Sequence, residues 1–137
     1  MKKIILIFLL IYFGFLLSCS AQAQPKGESK ASTAAPKKIS AAQAKDMMDK
    51  GEPYLLVDVR TVGEFNERHI KGAILIPVDE IESRAEKELP DRDAVILVYC
   101  RSGVRSARAA QSLAGMGYTN VYDMGGIMNW PYDRVKN

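Results

Sequence analysis

An apolar run that ends in a cysteine loop constrains this fold more than any other stretch. Ala94, Val95, Ile96, Leu97, Val98 and Tyr99 are β-rich and unbroken by charge, the pattern of a strand covered on both faces. Cys100, Arg101, Ser102, Gly103, Val104 and Arg105 follow at once, and residues 106–116 carry a helical pattern. Strand, tight loop and helix in succession are the building unit of a parallel sheet. The loop then stands at the carboxyl end of a strand, where open α/β sheets bind ligands. Backbone N–H groups at a helix start converge on that point, and the helix dipole adds partial positive charge. A thiol held there is pushed toward thiolate, its nucleophilic form.

The rest of the chain repeats the alternation. Residues 37–39 read as a short first strand. Ser40 and Gln43 form a capping box that opens a helix to about residue 50, with Ala44, Met47 and Met48 as its apolar face and Gly51 as its stop. Residues 54–59 are a second buried strand. Thr61 and Glu64 make another capping box, for a short helix to about residue 68. Residues 73–76 form a strand stopped by Pro77. Residues 79–89 read as an acidic helix capped by Asp79 and Glu82, and residues 120–123 as the last strand. Gly125 and Gly126 then turn into a short helix carrying Trp130. The expected fold is α/β, an open parallel sheet of about five strands with helices on both faces.

The N-terminus is of another kind. Lys2 and Lys3 precede an apolar segment over residues 4–17, shorter than the roughly 20 residues of a membrane span and suited to an export signal. Ser18 and Cys19 close it in the manner of a lipoprotein signal. Residues 1–18 are therefore read as a signal peptide, with Cys19 lipidated; an alternative cut follows residue 23. Residues 19–36, rich in Ala, Ser, Gln, Lys and Pro, read as a flexible tether, and residues 37–137 as the folded domain. The expected location is the periplasm or envelope, with membrane contact only through the lipid. The formal charge of +3 is too small to argue for nucleic acid. With Cys19 lipidated or removed, Cys100 is a lone reactive thiol. One histidine and no C-x-x-C leave no metal site in the pattern. No cofactor is called for, and a monomer is expected.

Residues 100–106 resemble the active-site loop of the rhodanese family, C-R-x-G-x-R-S. Leu56-Val57-Asp58-Val59-Arg60, Glu64-Phe65, His69-Ile70-Lys71-Gly72-Ala73 with Ile76-Pro77, and Gly125-Gly126-Ile127 with Trp130 resemble further family elements in the right order. The likeness covers nearly all of residues 39–132. There is one departure: a glycine usually precedes the His-Ile pair, and this chain has Arg68. The resemblance implies a rhodanese-like sheet and a sulfurtransferase of the thiosulfate type. Cys100 would take sulfane sulfur from an anionic donor and pass it, as a persulfide, to cyanide or a cellular thiol.

Within the loop, the amides of residues 101–105 form an expected anion cradle, and Gly103 permits a positive-φ turn. Arg101 is expected at the pocket mouth, steering an anionic donor, or else as a plain surface arginine. Arg105 is expected to lock the loop by pairing with Asp58 or Glu64. Ser102 and Ser106 are small polar loop residues, Ser106 a candidate helix cap, and Val104 brings no chemistry of its own. Asp58 and Arg60 are read as a charge network supporting the loop rather than acid–base groups. His69 and Trp130 are read as structural, although a Cys–His pair is conceivable. Three rivals remain: a persulfide carrier with little turnover, a thiol redox sensor, and a phosphatase or arsenate reductase. The last needs C-x5-R, and this loop is one residue short.

Overall fold

The computed structural model describes residues 34–137. The expected signal segment, the lipidated Cys19 and most of the tether lie outside the described residues. Among those described, no helix is long and apolar enough to cross a membrane.

Five strands form one sheet: β1 (Lys37–Lys38), β2 (Tyr54–Asp58), β3 (Ile74–Leu75), β4 (Val95–Cys100) and β5 (Asn120–Gly126). All neighbours are parallel, in the order β1-β5-β4-β2-β3. The four α-helices are α1 (Ala41–Asp49), α2 (Val62–Glu67), α3 (Ile81–Glu88) and α4 (Val104–Gly115). The expected α/β sheet is thus the observed one, and β4 is its central strand.

The period of two along the strands divides the core. On one face Ile96, Val98 and Cys100 of β4 join Val57 and pack against Ile81 and Ala85 of α3 and Ala109, Ala110 and Leu113 of α4. On the other, Leu56, Leu97 and Tyr99 pack with Ala44 of α1, Ile70, Met124 and Trp130. Both faces being covered explains why β4 is apolar without alternation. The same parity decides that Cys100 faces the α4 side.

Both predicted capping boxes are formed. Gln43 N–H donates to Ser40 Oγ, and Glu64 N–H to Thr61 Oγ1, with the reciprocal bonds also made. Three local expectations fail. The acidic segment is not one capped helix: Val78–Glu80 is a 3-10 turn and α3 starts at Ile81 without a side-chain cap. Asp79 instead pairs with Arg108, and Glu82 accepts from Ser112 Oγ, so these acids tie the segment to α4. α4 begins at Val104, two residues early, because Gly103 at φ +111° is already its N-cap. β5 runs on to Gly126 rather than stopping at residue 123, since Gly126 pairs with Cys100 at the end of β4.

Candidate active site

Cys100 is the last residue of β4, fully buried, and paired in register with Gly126 across a bulge between Val98 and Cys100. It is the free cysteine among the described residues. Gly103 can reverse the chain because it lacks a Cβ, and its N–H points back to donate to Cys100 Sγ at 3.0 Å. Ser106 does not cap α4 as expected. It lies fully buried in the first turn, its Oγ 3.7 Å from Sγ and within hydrogen-bond distance of the carbonyls of Gly103 (3.0 Å) and Gly125 (3.3 Å), the three competing for its one proton. Burial is the largest single influence on the thiol and pushes it up. The amides of Ser106, Gly103 and Ser102, with the Ser106 hydroxyl, together outweigh burial and hold Cys100 below the ordinary 9.0. These are neutral donors in a nest of the kind that binds anions.

Arg105 is engaged by a carboxylate rather than hydrogen-bonded to the thiol. Its two Nη atoms each donate to one Glu64 carboxylate oxygen at 2.8 Å. Of the two acids expected as partners, Glu64 is therefore the one used, and α2 is clamped to the loop. Arg105, with the Thr61 amide and hydroxyl assisting and burial opposing, holds the Glu64 carboxyl down to about 2 from 4.5. A depressed carboxylate stabilises the fold fully above its unfolded value and loses that contribution as pH falls through the folded one. Glu64→Gln keeps the capping box and removes the charge together with one of the two acceptors that Arg105 uses. The variant is expected to melt roughly 4–8 °C below the wild type at pH 7, equivalent to about 1 kcal/mol for a partly exposed pair. Melting curves should converge as pH drops from 4.5 toward 2.

Asp58 and Arg60 are also engaged with each other. Arg60 Nε and Nη2 reach the Asp58 carboxylate at 3.0 and 2.6 Å, the Arg60 N–H adds a third bond at 2.9 Å, and Nη2 also reaches the Arg68 carbonyl at 2.7 Å. Asp58 is fully buried and Arg60 nearly so. The Arg60 guanidinium lies over the Tyr99 ring, 5.6 Å from its centroid. A carboxylate held by three donors is poorly placed to move protons, which favours the supporting network. His69 stacks on Phe65 with ring centroids 3.9 Å apart, and its Nδ1 is 2.9 Å from the Phe65 carbonyl oxygen. Trp130 sits in the core. Arg101 is exposed and makes no ion pair among the described residues. Beside the loop runs an open groove of about 780 Å³, lined among others by Ser40, Ser102, Gly103, Val104 and Tyr132.

This arrangement offers an acidified thiol at the floor of an amide nest, with the Arg101 guanidinium at its edge. The profile of the Rhodanese-like domain matches residues 40–132. The chain belongs to the rhodanese-like domain family. It is 36% identical over 80 residues to thiosulfate sulfurtransferase PspE of Escherichia coli, covering 58% of this chain and 77% of that one. It is 32% identical over 95 residues to thiosulfate sulfurtransferase GlpE of Coxiella burnetii, covering 69% and 86%. A solved structure titled as a rhodanese with anions from E. coli superposes with a TM-score of 0.59 at 34% identity, over 62% of this chain and all of that one.

One part of this rhodanese-like site was not assigned from sequence. Gly125 and Gly126 read as a turn into a helix, yet they form the wall of the loop. A Cβ on Gly126 would stand 2.3 Å from the Arg101 carbonyl oxygen and 2.7 Å from Ser102 Cα. The Met128 N–H donates to that same Arg101 carbonyl at 3.2 Å. Glycines inside a strand signal just such a close backbone approach, and that signal was present.

Proposed function

We propose that this protein moves sulfane sulfur from an anionic donor such as thiosulfate to a thiophilic acceptor through a persulfide on Cys100. The observation that carries the reading is the Cys100 thiol set in the amide nest and held below its ordinary pKa. The named relatives support a rhodanese-type transferase. In the first step the Cys100 thiolate attacks the outer sulfur of thiosulfate. The new S–S bond forms as the old one breaks, and sulfite leaves with the electron pair. In the second, cyanide or a thiolate attacks the outer sulfur of the persulfide, and Cys100 is released as thiolate. Charge and electrons balance in both steps, and neither needs a metal or an organic cofactor.

The chain's own residues bind and orient. The amides of Ser102, Gly103 and Ser106 stabilise first the thiolate and then the terminal persulfide sulfur. Arg101 meets the incoming anion, while Arg105 holds the loop through Glu64. Intact mass of the purified protein before and after thiosulfate tests the reading. A gain of one sulfur, about 32 Da, that cyanide removes is expected; no gain with any sulfane donor would refute it. We also propose export and lipid attachment at Cys19, the sequence reading being its support. Labelling with a radioactive fatty acid should be lost in Cys19→Ala, and an unchanged label would reject the lipid.

A further inference from the structure

On the α2 side of the loop lies a second, smaller pocket of about 220 Å³, whose lining includes Arg60, Glu64, Glu67, Arg68, Arg101 and Arg134. Its charges are not equivalent. Arg60 is neutralised by Asp58, and Glu64 by Arg105. Arg68, Arg101 and Arg134 form no ion pair among the described residues, and Glu67 offsets only one of them. Two positive charges are therefore left uncompensated in a recess bordered by Arg101, the residue after Cys100.

The backbone places these arginines deliberately close. His69 and Val135 exchange both N–H···O bonds in an antiparallel bridge, at 2.9 and 2.8 Å. Residues next to such a pair project to the opposite face from it. Arg68, extended at φ −164° and ψ 136°, and Arg134 thus reach one side of the bridge and line the same recess. Arg101, the residue after Cys100, forms the third edge. Like charges are brought together here with Glu67 as a counter-ion for one of the three, an arrangement that favours a bound anion. The volume is about seven times a water molecule's share of the liquid, more than one small inorganic oxyanion fills.

We propose that Arg68, Arg101 and Arg134 form an anion subsite for a carboxylate of a small thiol acceptor, presenting its sulfur to Cys100. The inference rests on the sulfurtransferase reading above. The acceptor thiol gives its proton to solvent, and its thiolate attacks the outer sulfur of the Cys100 persulfide. One S–S bond forms and one breaks, Cys100 leaves with the electron pair, and the product is an organic persulfide. Guanidinium–carboxylate pairing supplies both attraction and orientation.

The test compares acceptors at fixed thiosulfate, using mercaptosuccinate, mercaptoethanol and cyanide. The double variant Arg68→Gln/Arg134→Gln keeps both backbone positions and removes two charges. The KM for mercaptosuccinate is expected to rise about tenfold, as for a lost charge-assisted bond, with mercaptoethanol and cyanide unchanged. Each thiol's own reactivity cancels in the ratio of wild type to variant. An unchanged KM for mercaptosuccinate overturns the proposal. So does an equal loss with every acceptor, which would mean a diffuse field or a damaged loop. If the wild type fails to turn over thiosulfate with cyanide, the sulfurtransferase reading falls instead. The pocket is then judged by calorimetry with succinate: binding that the double variant weakens supports an anion subsite, and no binding to the wild type overturns it.

Discussion

Cys100→Ser is expected to abolish sulfur transfer, by at least about 10³-fold, while the domain stays folded. The chemistry needs an atom that is ionised near neutral pH and can form a bond to sulfur that is later broken by a second nucleophile. A serine hydroxyl, far less acidic than a thiol, offers neither. The amide nest that holds the thiol below 9.0 cannot close that gap. The fold should tolerate the change, because the new hydroxyl finds the Gly103 N–H and Ser106 Oγ already in place. The cost is the packing of one sulfur in a fully buried position. Turnover with thiosulfate and cyanide, a melting curve and the intact-mass assay together check the prediction. A folded variant that still gains sulfur would place the acceptor atom elsewhere. In the wild type, alkylation of Cys100 against pH should show a midpoint below that of a free thiol; a midpoint above it would mean that burial wins over the amides.

Much of the fold was legible because its signals are local. Capping boxes at Ser40 and Thr61 satisfy backbone donors within one turn, so sequence spacing alone reveals them. The continuous apolar run of β4 announces a strand covered on both faces, and strands alternating with helices leave few topologies besides a parallel sheet. What failed was decided by partners distant in sequence. Asp79 looks like a helix cap until Arg108, 29 positions on, is brought beside it. Ser106 looks like a cap because caps are often serine. The left-handed Gly103 starts the helix earlier and turns Ser106 toward the sulfur. In the site, Cys100 and its loop could be found in one line of sequence. The choice of Glu64 over Asp58 as partner of Arg105 could not, since Asp58 is already occupied by Arg60, two residues away on the same strand end. The grouping of Arg68 with Arg134 depends on a bridge between positions 69 and 135 that no periodicity predicts.

Gly126→Ala is expected to do more harm than any other single-methyl change near the site. Gly126 has φ −104° and ψ 139°, which alanine adopts freely, so backbone strain is not the reason. The added methyl carbon would lie 2.3 Å from the Arg101 carbonyl oxygen, 2.7 Å from Ser102 Cα and 2.8 Å from the Arg101 carbonyl carbon. All three are backbone atoms of the loop, so no side chain can swing aside, and the loop itself has to move. Over-packing of this sort costs roughly 1–3 kcal/mol. The larger effect falls on chemistry: a displacement of about 1 Å in groups that position a reacting atom can cost about 10²-fold in rate. The amides of Ser102 and Gly103, which face the sulfur, move with the loop. Gly125→Ala supplies the contrast. Its φ of +76° makes alanine strained, by about 1–2 kcal/mol, but nothing lies within 4 Å of the new methyl. Stability losses of similar size are therefore expected in the two variants, with turnover collapsing only in Gly126→Ala and its Cys100 alkylation profile shifting upward in pH. Equal turnover in the two would mean that the glycine pair serves the fold alone, and that the loop tolerates displacement without loss of the thiolate.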